Sequence, residues 1–395
     1  VAVTCPPVPT PSPAPAGGFR PPPYPYDRLR ELQAIAEALP GGMVDCSVGT
    51  PCDPPAPAVV RALGVSGTER GYPSSAGGPA LRRAAADWLR RRFGVHVDAA
   101  DVAACVGTKE LVASVPHLLR LRDPSRDTVL YPAVSYPTYA MGATLAGCRA
   151  VPVPPSSSDG SGLDLGRIPD GDARRALLLW TNSPSNPTGG LTDLNQAAEW
   201  GRARGVPVFS DECYCEFTWE GRPRSILEHG ATGVVAVHSL SKRSNLAGVR
   251  AGFYAGDPEL VGYLRDVRQH AGLMVPGPVQ AAAAVALADD EHVRAQRARY
   301  RERLDFLARV LTAAGCPVGR PAGGFYLWVP VPERWANGWE LADALARSAG
   351  LLVSPGDLYG QPGGSFVRVA VVQPMDRLAL VAERLAEAGW SAVPA

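Results

Sequence analysis

Short runs of unbroken apolar residues alternate along this chain with longer stretches in which apolar positions recur every three or four residues. The runs at 102–106, 128–131, 176–181, 206–210 and 233–237 predict buried strands. The run at 176–181 has the continuous apolar character of a strand inside a parallel sheet. Helical spacing predicts helices over 26–39, 79–93, from the end of Gly107-Thr108-Lys109-Glu110 to Arg120, from Tyr136 to Ala146-Gly147, and over 257–270. Asp27 is a possible cap of the first helix, and Pro40-Gly41-Gly42 its stop. A short strand at 43–48 leads into Gly49-Thr50-Pro51, a turn where backbone can come close to a ligand. Val275-Pro276-Gly277-Pro278 breaks the chain and starts another helix. A long polar-faced helix from about 290 to 314 is expected to connect two domains. The remaining strands, among them 323–329 and 366–370, alternate with helices in the smaller domain. Residues 1–26 are Pro-rich, carry no core, and read as a tail or as an extended arm on a partner subunit.

Composition narrows the class. At 395 residues there is room for two sizeable cores. The net charge of +1 and the lack of a long basic stretch argue against a nucleic-acid partner. No apolar run approaches the ~20 residues that span a bilayer, and no basic start with an apolar core suggests a secretory signal. Eight scattered cysteines read as reduced thiols of a cytoplasmic protein. Cys213 and Cys215 have no His cluster to complete a metal site, so no metal is expected.

The candidate chemistry begins with amines. The chain has two lysines, Lys109 and Lys242; its other basic residues counted with them are all arginine. A guanidinium supplies charge but cannot form an imine with an aldehyde, whereas a primary amine can. Lys242 lies in Ser239-Leu240-Ser241-Lys242, just past the carboxyl end of the strand at 233–237, where ligands bind in open α/β sheets. Arg250 follows eight residues on. Ser239, Lys242 and Arg250 could together hold a phosphate and an aldehyde. Gly107-Thr108, between a strand and a helix start, offers backbone N–H groups to an anion and carries Lys109 beside it. Arg368 interrupts an apolar strand and calls for an anion.

The lysine stretch resembles that of fold-type I pyridoxal-phosphate enzymes, the class I/II aminotransferases. Ordered motifs from about residue 27 to 390 carry the likeness: Arg70-Gly71-Tyr72 before a small-residue loop, Gly107-Thr108-Lys109, Tyr136 with Ala146-Gly147, Asn186-Pro187-Thr188-Gly189, Asp211 with Tyr214, and Lys242. The resemblance implies an α/β fold, aspartate aminotransferase-like, with a mostly parallel sheet flanked by helices and a smaller α/β domain. It implies domains at 27–48 and 289–395 (small) and 49–288 (large). Pyridoxal 5'-phosphate would be the cofactor, joined to Lys242 as a Schiff base. Ser239, Arg250 and the Gly107-Thr108-Lys109 loop would bind its phosphate, and Tyr136 would stack on its ring. Asp211 would keep the ring nitrogen protonated, making the ring an electron sink. Asn186 and Tyr214 would bond the 3-oxygen. Tyr72 would reach the neighbouring subunit's phosphate in a homodimer with a shared active site. Arg368 would grip the substrate α-carboxylate with its two-pronged geometry; Gly49 and Asn186 would also line the substrate side, and Ser354-Pro355-Gly356 would be a turn facing the site.

Within the family, Ser183 to Gly189, Asp211 to Tyr214, Ser239 to Gly248 and Met274-Val275-Pro276 look like actinobacterial succinyldiaminopimelate aminotransferases. Those exchange an amino group between an N-acylated diamino acid and 2-oxoglutarate. The chain departs from that subgroup at Ala140 and Val249, where Glu and Tyr are expected. The alternative is a natural-product enzyme on the same scaffold, acting on an amino acid or S-adenosylmethionine by elimination, carbon–carbon bond formation or oxidation. A transcription regulator with an aminotransferase-like sensor would need an N-terminal winged-helix domain; about 26 Pro-rich residues are too few, and no DNA binding is expected.

Overall fold

The structure is a computed structural model and describes residues 18–390. Its strands are β1 (Val44–Asp45), β2 (Val102–Cys105), β3 (Thr128–Pro132), β4 (Arg149–Val153), β5 (Ala176–Asn182), β6 (Val208–Asp211), β7 (Val234–Ser239), β8 (Gly252–Gly256), β9 (Tyr326–Pro330), β10 (Leu351–Leu352), β11 (Ser354–Pro355) and β12 (Phe366–Ala370). Seven form one sheet in the order β2-β8-β7-β6-β5-β3-β4. All neighbouring pairs are parallel except those made by β8.

The unbroken apolar runs follow from burial on both faces. In β5, Leu178 and Trp180 join one core, with Leu111, Val115 and Tyr139, while Leu179 joins the other, with Trp88 and Phe253. Strands β6 and β7 divide the same way: Phe209, Val235 and Val237 face one side, Val208, Val234 and Ala236 the other. A strand with one wet face would alternate apolar with polar residues instead.

The parallel register brings Asn182 of β5 level with Asp211 of β6. β2 and β7 are each antiparallel to β8, so they run alike, and Gly107 and Ser239 lie at the same sheet edge. This carboxyl edge is where a doubly wound sheet opens to a ligand.

A third core lies beyond that edge. It combines Leu29, Leu32, Ala36, Val44 and Cys46 with the antiparallel sheet β11-β12-β9 and the two-residue pair β1–β10. Glu291–Ala313 is a single helix of 23 residues, about 35 Å long at 1.5 Å per residue. Its Tyr300, Leu304, Leu307 and Leu311 belong to this third core. Among the described residues no helix is long and apolar enough to cross a membrane.

Several local expectations change. The strand expected at 43–48 is only Val44–Asp45, because it pairs with nothing but the equally short β10. Asp27 caps nothing: the chain enters through a 3-10 turn at Pro25–Leu29, and Asp27 lies inside it, 3.4 Å from Arg30. Ser354-Pro355 is a strand, held against Val367 and Arg368, rather than a turn. Of the segment read as a tail or an arm, residues 1–17 lie outside the described residues, and Tyr24 and Tyr26 line the cavity at the sheet's carboxyl edge.

Candidate active site

The cavity at the sheet edge has a volume of about 410 Å³. Lys109, Thr108, Tyr136, Asn186, Asp211, Tyr214, Ser239, Lys242, Arg250, Gly49 and Arg368, all singled out in the sequence, line it. Gly107 lies directly beneath: at φ +72° it caps the helix Thr108–Arg122, and a Cβ there would collide with the Arg250 guanidinium. Tyr72 is the exception. It stands 99% exposed and away from the cavity.

Lys242 forms the floor. It sits on the short helix Leu240–Arg243, whose start is capped by Ser239 through a bond from the Ser241 N–H at 3.1 Å. Its amine donates to the Gly49 carbonyl. Burial lowers its pKa from the ordinary 10.5 to about 8, with Arg368 and Arg250 pushing the same way and Cys213 and Asp211 opposing.

Asp211 ends β6 inside the cavity. Tyr139 donates to its Oδ2 at 2.8 Å, and the Cys213 N–H to its Oδ1 at 3.2 Å. Burial pushes the carboxyl up, and these donors and the Lys242 charge hold it down. Among the described residues no basic side chain forms an ion pair with it. The next residue, Glu212, turns to the opposite face. Its Oε2 lies 3.3 Å from His238 Nε2. Burial raises that carboxyl to about 8 and lowers the imidazole to about 3, so both are neutral at pH 7 and lie outside the cavity.

Arg368 is buried at 1% exposure on β12. Its Nη1 donates to Asn186 Oδ1 at 2.7 Å and its Nη2 to the Ser47 carbonyl, while its Nε has no partner. The rings of Tyr326 and Tyr359 flank the guanidinium at 4.3 and 4.6 Å. No protein carboxylate pairs with it among the described residues. The charge is thus enclosed by carbonyls and π-faces and still lacks an anion. The Arg368 bond also fixes the Asn186 amide, leaving its Nδ2 as the free donor. Tyr214 shares a hydrogen bond of 2.8 Å with Tyr326, and burial holds its hydroxyl well above the usual range.

The rim differs. Lys109 donates to the Tyr24 hydroxyl at 3.1 Å and lies 4.7 Å from that ring. Tyr26 meets Tyr359 at 3.1 Å. The sequence reading missed Tyr24, Tyr26, Tyr139 and Tyr326. Tyr139 lies three residues after Tyr136 at the start of the same helix, an offset that marks it as a neighbour; nothing local marks the others.

The residues fit a phosphorylated pyridine aldehyde. A glycine cradle lies against Arg250, a buried carboxylate awaits a cation, and a depressed amine lies between them and a buried arginine. The model of the family described as aminotransferase class I and II matches residues 42–385. The chain belongs to the class I and II aminotransferases. It is a pyridoxal-phosphate-dependent aminotransferase of fold type I. It is 43% identical over 373 residues to the 4-dedimethylamino-4-oxo-anhydrotetracycline transaminase OxyQ of Streptomyces rimosus, covering 92% of this chain and 99% of that one. A probable aminotransferase of Mycobacterium tuberculosis is 44% identical, over 92% of this chain and 85% of that one. Among solved structures, a probable N-succinyldiaminopimelate aminotransferase from Thermus thermophilus superposes with a TM-score of 0.82 at 32% identity, covering 92% of this chain and all of that one.

Proposed function

We propose that this aminotransferase takes its amino group from an α-amino acid whose carboxylate is gripped by Arg368. The enclosed guanidinium, which among the described residues has an unpartnered Nε and no acid beside it, carries the reading. Lys242 would carry the cofactor. Gly107, Thr108, Ser239 and Arg250, with Lys109 at their edge, would hold its phosphate, Tyr136 would face its ring, Asp211 its nitrogen, and Asn186 and Tyr214 its 3-oxygen. When bound, the cofactor draws electrons from the substrate Cα and makes its C–H bond acidic.

The chain's own part is to orient and to move a proton. Arg368 aligns the substrate, and the amine of Lys242 accepts the proton at Cα. With a pKa of about 8, roughly a tenth of such amines are neutral at pH 7, against fewer than one in a thousand at the ordinary value. Tyr139 and the Cys213 N–H donate to Asp211 and so favour its charged form against the burial that opposes it. Tyr72, fully exposed here, would reach the second active site of a cytoplasmic homodimer.

The substrate reading is a long acidic amino acid of the N-succinyl-diaminopimelate type with 2-oxoglutarate as acceptor, since Lys109 offers a cation at the rim. A second reading, a flat ring ketone as acceptor, is favoured by the tyrosines at the mouth, Tyr24, Tyr26 and Tyr136. Holoenzyme incubated with each amino acid alone, with the cofactor's visible band followed and the 2-oxo product identified by mass spectrometry, finds the donor. Acceptors are then compared in the second half-reaction. Conversion of amines lacking a carboxylate as fast as amino acids would refute the reading.

A further inference from the structure

A chain of buried and half-buried polar side chains ties the long helix to the loops after Gly49 and Lys242. On the long helix Glu291–Ala313, Arg303 grips Asp53 with both prongs, Nη1 to Oδ2 and Nη2 to Oδ1, each at 2.7 Å. Gln296, two turns earlier on the same face, donates to the same carboxylate at 2.8 Å. Its Oε1 accepts from Asn245 Nδ2 at 3.0 Å, and that amide also reaches the Pro54 carbonyl at 3.4 Å. Gln296 and Arg303 are buried. Asn245 holds φ at +55°, a left-handed conformation that Asn tolerates better than most residues.

Stability alone is a weak reason for such a network. Arg303 Nε and Asn245 Oδ1 are left without partners, and buried ion pairs are often no better than apolar packing. Its placement is more telling. Asp53 follows four residues after Gly49, whose carbonyl accepts from the Lys242 amine, and Asn245 follows three residues after Lys242. Both sides of that contact therefore hang from one helix. The same helix is built into the third core through Tyr300, Leu304 and Leu307.

We propose that Asp53, Arg303, Gln296 and Asn245 are positioning residues that set where the Lys242 amine stands against Gly49. The tie holds the loop after Gly49 and the loop after Lys242 at a fixed separation, and it links both to the third core. The amine also faces Asp211, Cys213, Arg250 and Arg368, so displacing it changes its proton affinity. The proposal rests on Lys242 being the amine that carries the cofactor.

Asn245→Gly keeps the left-handed backbone and removes the amide. Asp53→Asn keeps the size and removes the charge. Each variant is purified as holoenzyme, and the pH midpoint of its visible cofactor band is recorded without substrate, beside its melting temperature, kcat and KM. In Asn245→Gly the midpoint is expected to move by about half a pH unit or more, with kcat falling roughly tenfold and KM changing less. Asp53→Asn, if it folds, should shift the midpoint further. A wild-type midpoint in Asn245→Gly overturns the proposal, whatever happens to the melting temperature, because a merely structural tie would change only the latter. Borohydride reduction and peptide mapping of the wild type separate this failure from failure of the functional reading: cofactor found off Lys242 sinks the latter.

Discussion

The floor and the rim of the cavity each present one lysine, in opposite surroundings. On the floor, Lys242 lies among buried groups, contacts a backbone carbonyl, and has its pKa drawn down to about 8. On the rim, Lys109 rests on the Tyr24 hydroxyl and ring, in an exposed contact. Desolvation penalises the charged form of an amine, and the penalty needs burial. One residue type thus gives a buried amine drawn toward its neutral form at the floor and an exposed amine at the rim. The floor is also built differently. Asp211 ends a strand, Arg368 lies within one and Lys242 sits on the short helix that follows β7, each held by named donors or acceptors, whereas the rim is made from a helix start and the entering N-terminal segment.

Substitutions at floor and rim can break this contrast. Lys242→Ala should lower the transamination rate by at least about 10⁴-fold, while Lys109→Ala should change KM for acidic substrates several-fold and leave kcat close to wild type. Comparable losses of kcat at both positions would erase the distinction. Arg368→Ala should weaken α-amino acids by roughly 10²-fold in kcat/KM, as truncation of one member of a buried charge pair does. Amines without a carboxylate should be affected little, and equal losses for both would place the carboxylate elsewhere. Asp211→Asn should retain cofactor yet slow α-proton exchange by about 10²-fold. Tyr139→Phe removes one donor from that carboxylate and should cost less, about tenfold, the low end for a single lost hydrogen bond to a charged group. A Tyr139→Phe loss as large as that of Asp211→Asn would make Tyr139 more than a support.

The contrast also shows what a sequence discloses. The large sheet was legible because its strands are buried on both faces, so their runs are unbroken, and the functional side chains sit just past strand ends, in register with one another. Lys242 was legible because arginine had displaced lysine almost everywhere else. Contacts between distant segments were not. Asp53 and Arg303 are 250 residues apart and neither belongs to a local pattern. Tyr326 reads as an ordinary apolar strand residue, and only the folded chain brings its hydroxyl to Tyr214. Tyr24 and Tyr26 were hidden in a Pro-rich stretch whose composition suggests a tail, although Tyr26 is anchored on Tyr359. Ser354-Pro355 carries turn residues but is held as a strand by Arg368 and Val367.

The central claim is that burial at the cavity floor makes Lys242, and not Lys109, the cofactor-bearing amine. With only two lysines in the chain, one measurement decides it. The holoenzyme is reduced with borohydride, digested, and the cofactor-bearing peptide identified by mass spectrometry. The account predicts the label on the peptide containing Lys242, with none on that containing Lys109. Label on Lys109, or a protein that binds pyridoxal phosphate and yields no reduced adduct, would contradict it.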